Sequence, residues 1–141
     1  MTNQIQTGFT IDDLMGLNDK RIEVVNGELR EKDMSAGLIH KAIAKNVERA
    51  LERCTDKHKG GVVLSDGLTY VLHTSERGVQ FARLPDVSFI RQGRITSETD
   101  LIHPFIGAPD LAVEVTSPGQ PADTLREREN DYLRFGSTEV W

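Results

Sequence analysis

Two acids have types and spacing that could do chemistry together: Asp86 in "PDVSFI" (85–90) and Glu114 in "PDLAVEV" (109–115). Both runs read as short apolar strands bounded by proline. An ionised carboxylate beside a buried strand is costly unless a cation meets it. Within "PDLAVEV", Leu111, Val113 and Val115 fall on one face of a two-residue repeat, and Asp110, Ala112, Glu114 and Thr116 on the other. Asp110 and Glu114 thus share a face, but four residues of strand set them roughly 13 Å apart. A shared magnesium ion would need both oxygens within about 2.1 Å of it. Asp86 is the better partner, because paired strands lie about 4.8 Å apart. Two carboxylates so placed raise each other's pKa unless a cation sits between them. The competing reading is a pair of strand-end acids that face solvent or pair with arginine.

One cation is phased toward this pair. A helix from about Asp123 to Phe135, ended by Gly136, puts Leu125, Tyr132 and Phe135 on one face with Arg128 on the same stripe. Arg128 either closes the pocket or lays its stem on the core and sends its head to the rim.

Other elements must position these groups. "TIDDLMGLND" (10–19) opens like a capping box at Thr10 and Asp13 and predicts a short helix. "RIEVVNGELRE" (21–31) predicts a hairpin about Asn26-Gly27, with Glu23 opposite Arg30. From about Ala36 to Cys54 a helix carries His40, Ile43, Val47 and Leu51 on one stripe, and Lys41, Lys45, Arg49 and Arg53 on another. "GVVLSDGLTYVLH" (61–73) turns at Asp66-Gly67 and precedes the two acid-bearing strands. This order predicts an α/β (α+β) domain with one sheet. The polar first eight residues predict a flexible segment, and residues 9–141 a single domain.

Composition limits the function classes. No run approaches the roughly 20 apolar residues of a membrane helix, and no signal peptide is visible, which predicts a cytoplasmic protein without a membrane partner. The single cysteine excludes an internal disulfide and, without a Cys-x-x-Cys partner, argues against zinc. With 17 Lys and Arg against 22 Asp and Glu, the net charge of -5 gives no global attraction for nucleic acid. Any DNA contact must come from a local basic patch such as Lys41 and Lys45, whose alternative is a solvated helix face. His40 is open between a hydrogen-bonded core histidine and a phosphate contact. Neither a Gly-x-Ser-x-Gly elbow nor a P-loop is present.

The successive stretches "RIEVVNGELRE", His40 at a helix start, "PDVSFI", "PDLAVEVTSP" and "ENDYLRFGSTEVW" resemble, in order, the motifs of the Uma-two family of restriction endonucleases, a branch of the PD-(D/E)XK nuclease superfamily. The resemblance runs from about residue 9 to the end. It implies a restriction-endonuclease-like fold, a mixed central sheet flanked by helices, and a DNA endonuclease site in which Asp86 and Glu114 bind Mg²⁺, or Mn²⁺, with the Val115 carbonyl as a further ligand. Glu23 matches an acid of the first motif and would orient a water or metal; a cross-strand surface pair with Arg30 is the competing reading. A homodimer is expected by analogy with nucleases that cut both strands.

The chain departs from that pattern in three places. The superfamily lysine two residues after the acid is Thr116 here, and the family's lysine four residues before the helix tyrosine is Arg128. Arginine can stabilise developing phosphorane charge but cannot act as a general base. The family also continues with further strands beyond the position of Trp141, so the expectation is a chain lacking those strands or a sheet completed by a partner. These departures define the alternative function: a catalytically reduced nucleic-acid-binding or interaction module that keeps the nuclease fold.

Overall fold

The structure, a computed structural model, describes residues 8–17, 21–32 and 37–141. Most of the expected flexible segment 1–8, and the expected helix ends at Asn18, Asp19 and Ala36, lie outside the described residues.

Local chemistry explains the first elements. Helix α1 (Ile11–Met15) is opened by both halves of a capping box: Asp13 N donates to Thr10 Oγ1 and Thr10 N donates to Asp13 Oδ2. Strands β1 (Ile22–Val25) and β2 (Glu28–Glu31) form the hairpin, with Asn26 and Gly27 both at positive φ, as a type I′ turn requires. Helix α2 (Leu38–His58) is longer than expected at its C-terminus. Its inward stripe is Ala44, Val47 and Leu51, while Ile43 turns outward at 44% exposure.

Seven further strands follow or surround the last helix: β3 (Gly61–Leu64), β4 (Tyr70–Ser75), β5 (Gly78–Arg83), β6 (Val87–Arg91), β7 (Phe105–Ile106), β8 (Leu111–Val113) and β9 (Glu139–Val140). Helix α3 spans Ala122–Arg134, one residue earlier at each end than expected, and its N-cap Pro121 makes no side-chain cap.

The fold is α+β, but the single central sheet is divided in two. One sheet has the order β2-β1-β5-β4-β7 and the other β3-β6-β8-β9. Each is mixed, with one parallel contact, β4 with β7 and β8 with β9. The division has a local cause at Leu84-Pro85-Asp86, where β5 runs directly into β6. Proline lacks the ladder N–H and fixes φ, so one sheet ends there and the next begins. The Asp66-Gly67 turn likewise sends β3 and β4 to different sheets instead of closing a hairpin.

Three apolar clusters fix these layers. Leu14 packs with Val24, Val71, Val79 and Ala82, holding α1 on the outer face of the first sheet. Between the sheets lie Tyr70, Phe81, Ile90, Ala112 and Tyr132, so α3 enters the central core through its tyrosine. On the far face of the second sheet, Val87, Leu111 and Val113 meet the inward stripe of α2. Strand β8 is therefore buried on both faces, and its acid lies just beyond its end.

Candidate active site

The bend between the sheets creates the site. Register pairs Val87 with Val113, which places Asp86 and Glu114 across from each other one step past the paired ladder. The Asp86 N–H donates to the Val113 carbonyl at 3.0 Å, and the Val115 N–H donates to Asp86 Oδ2 at 2.7 Å. These bonds fix the carboxylate to the backbone of the neighbouring strand. Asp110, by contrast, accepts from Arg91 N and Arg94 Nη1 at the other end of β8, so it has no share in the site.

The cation between the acids is Lys32. Its ammonium donates to Glu114 Oε2 at 2.8 Å, to Asp86 Oδ1 at 3.3 Å and to the Leu84 carbonyl. The residue is only 7% exposed. Sequence reading missed it, because Lys32 lies just past the hairpin on a strand judged by its turn. A signal was present: Arg30 and Lys32 are two residues apart, on the face that register gives to Glu23.

Glu114 also receives the Tyr132 hydroxyl at 2.9 Å and has Arg128 Nη1 3.7 Å away. Burial holds its carboxyl above the usual carboxylate range; Lys32 and Arg128 pull it down, and Asp86 adds to the push upward. The helical phase of Arg128 therefore does bring it into the pocket, at 6% exposure. The same environment raises the Tyr132 hydroxyl well above its ordinary pKa, first through burial and then through Glu114, so Tyr132 stays a donor.

Glu23 is not a surface partner of Arg30. It is 1% exposed and accepts from Arg128 Nη1 at 2.6 Å, Leu84 N at 2.9 Å and Arg83 Nη1 at 3.0 Å. Burial pushes its carboxyl up, but Arg128, Lys32 and Arg83 outweigh that and hold it below the usual range. Arg83, on the strand that sequence reading did not assign, also binds Asp131 at 2.6 Å and Glu127 at 3.1 Å. Arg30 reaches Glu127 instead of Glu23. Charge alternates from Arg30 at the surface through Glu127, Arg83, Glu23 and Arg128 to Glu114.

A cleft of about 590 Å³ opens over these groups, lined also by Arg21, His40, Lys41 and Val115. Lys45 is exposed and does not line it. His40 Nε2 lies 3.5 Å from Asp86 Oδ2, and Arg21 pairs with Asp66 while its Nη2 stands 4.0 Å from Asp86 Oδ1. Three buried nitrogens on the cleft wall, Arg21 Nε, His40 Nδ1 and Arg128 Nε, have no hydrogen-bond partner among the described residues.

Among the described residues no group of three or more His, Cys, Asp or Glu is arranged to hold a metal. The two carboxylates and the Leu84 carbonyl nevertheless converge on one cationic nitrogen. All are hard oxygens of the kind Mg²⁺ and Mn²⁺ prefer, and magnesium commonly takes only one or two carboxylates. Asp86 and Glu114 therefore fit the ion in ligand type and convergence.

Comparison with known proteins gives the family. The model of the Uma2 family, described as "Putative restriction endonuclease", matches residues 12–141. The chain belongs to the Uma2 family. Its Uma2 match spans every element that builds the cleft, from the β1–β2 hairpin to α3. Among solved structures, a crystal structure titled as "a putative nuclease belonging to DUF820 from Anabaena variabilis" superposes with a TM-score of 0.73, at 20% identity, over 94% of this chain and 72% of that one. At that identity the likeness establishes the fold. No curated protein matches the sequence significantly. No helix among the described residues is long and apolar enough to cross a membrane.

Proposed function

We propose that this Uma2 chain is a Mg²⁺-dependent endonuclease that hydrolyses phosphodiester bonds in DNA, with Asp86 and Glu114 as its metal-binding acids. The observation that carries the reading is the convergence of both carboxylates on a single cation at the floor of a cleft. The Val115 carbonyl is the third proposed oxygen ligand, and Mn²⁺ would substitute for Mg²⁺. Bound there, such an ion polarises a phosphodiester, lowers the pKa of a water and neutralises the leaving oxygen.

The protein's own groups have separable tasks. Glu23 is a positioning residue: it fixes the guanidinium of Arg128, which keeps its charge at any working pH. Arg128 would meet the charge that develops on the phosphoryl group. Tyr132 holds the Glu114 carboxylate in place by its hydroxyl. Lys32 supplies the lysine that the nuclease pattern would put at Thr116 or at Arg128. Arg21, His40 and Lys41 at the cleft wall would contact backbone phosphates, a local positive rim on an acidic chain. Lys45 would meet DNA only beyond the cleft. A homodimer would place one such site on each strand of a duplex.

The test is cleavage of a supercoiled plasmid in Mg²⁺ or Mn²⁺ and in chelator. The reading predicts metal-dependent nicking by the wild type and none by Asp86→Ala or Glu114→Ala. Unchanged nicking in both variants would overturn it. DNA binding that falls steeply with salt, without cleavage in either metal, would favour the reduced binding module instead.

A further inference from the structure

We infer that Lys32 is a built-in occupant of the metal position, a tethered cation that a divalent ion must displace in order to bind. The inference rests on the metal reading above and concerns how that site is loaded. The ammonium lies within 2.8 and 3.3 Å of the two acids and also donates to the Leu84 carbonyl. A metal ligated by the same Asp86 and Glu114 oxygens would fall within about 2 to 2.2 Å of each of them. Ammonium and dication then compete for one space, where like charges so close repel strongly. Coexistence is excluded by charge as much as by volume.

Tethering explains why the two carboxylates can be buried before any metal arrives. Removing one partner from a buried ion pair leaves an uncompensated charge, whereas Lys32 compensates both acids at once. Its backbone is anchored, since Lys32 N donates to the Arg21 carbonyl at 2.7 Å, while the four-carbon stem would let the ammonium swing away once an ion takes its acceptors. The cleft above gives the displaced head somewhere to go, beside Arg21 and Lys41 on the wall where a phosphate would lie. Metal binding would thus release a second positive group toward the substrate side, coupling ion loading to anion affinity.

The experiment compares Mn²⁺ binding to the wild type and to Lys32→Met by titration calorimetry, without DNA. Displacement predicts at least about tenfold tighter Mn²⁺ binding by Lys32→Met, the ratio that corresponds to about 1.4 kcal/mol. A second measurement uses only the wild type, so that a variant that fails to fold does not decide the matter. Lysine acylation read by mass spectrometry should find Lys32 protected without metal and reactive in saturating Mg²⁺. Equal Mn²⁺ affinities with Lys32 protected throughout would overturn the inference and leave the metal reading standing. No Mn²⁺ binding by either protein would overturn the metal reading, and the inference with it.

Discussion

Arg128 Nη1 lies 2.6 Å from Glu23 Oε1 and 3.7 Å from Glu114 Oε1, so one guanidinium joins an acid of the β1–β2 hairpin to an acid at the end of β8. This makes Arg128 both a structural counter-ion and the fixed cation of the proposed site. Arg128→Met should cost about 3 to 5 kcal/mol in urea unfolding, because Glu23 and Glu114 lose a buried partner. Arg128→Lys keeps the charge and should lose less stability and retain plasmid nicking. Equal stability losses in the two variants would refute the charge argument.

Glu23 sets an acid-sensitive term in stability. Its folded-state pKa is held below the usual value by Arg128, Lys32 and Arg83 against the push of burial, so its contribution is fully present above the unfolded pKa. That contribution is lost as pH falls through the depressed folded value. Glu23→Gln should therefore cost about 3 kcal/mol or more near neutrality. The gap between wild type and variant should close as pH falls below the ordinary glutamate range. A gap that stays constant across that range would contradict the assignment.

The Tyr132 hydroxyl donates to the buried Glu114 carboxylate at 2.9 Å, closer than the Arg128 guanidinium of the same helix at 3.7 Å. Tyr132→Phe should lower stability by about 1.5 to 3 kcal/mol, as expected for a hydrogen bond to a charged group. It should also weaken Mn²⁺ binding by leaving Glu114 free to rotate. Calorimetric titration of the variant checks the second effect, and unchanged affinity would show that the Tyr132 hydroxyl does not hold Glu114 for the ion.

Asp110 offers the control. It shares the "PD" spelling with Asp86 but binds Arg91 N and Arg94 far from the cleft, on the loop side of β8. Asp110→Asn should cost about 1 kcal/mol and leave plasmid nicking at the wild-type rate. Loss of nicking in a folded Asp110→Asn protein would move the site to the wrong end of the strand.

What was legible in the sequence was mainly local. The Thr10–Asp13 box, the Asn26-Gly27 turn and the phase of Arg128 on α3 depend on neighbours within one helix turn or one hairpin, so spacing suffices to place them. The opposition of Asp86 and Glu114 followed from strand spacing alone once the two runs were taken to pair. The strand face of Lys32 could be read beside Glu23, but the partners of Lys32 and Arg83 could not, because they lie 82 and 48 residues away in the chain and meet them only after the sheets bend at Pro85. The competing reading of Glu23 as a surface partner of Arg30 fails for the same reason. Register alone pairs those two, but the buried arginines on β5 and α3 attract the acid more strongly. Strand β5 hid behind a short alternation ending in Arg83, whose charge reads as a strand end although it is 2% exposed.

The most direct measurement of the central claim is a crystal soaked in Mn²⁺ and examined by anomalous scattering. The account predicts a peak between Asp86 and Glu114, within about 2.2 Å of an oxygen from each, with the Lys32 ammonium displaced into the cleft. No peak, with both acids still closed on Lys32, would contradict it.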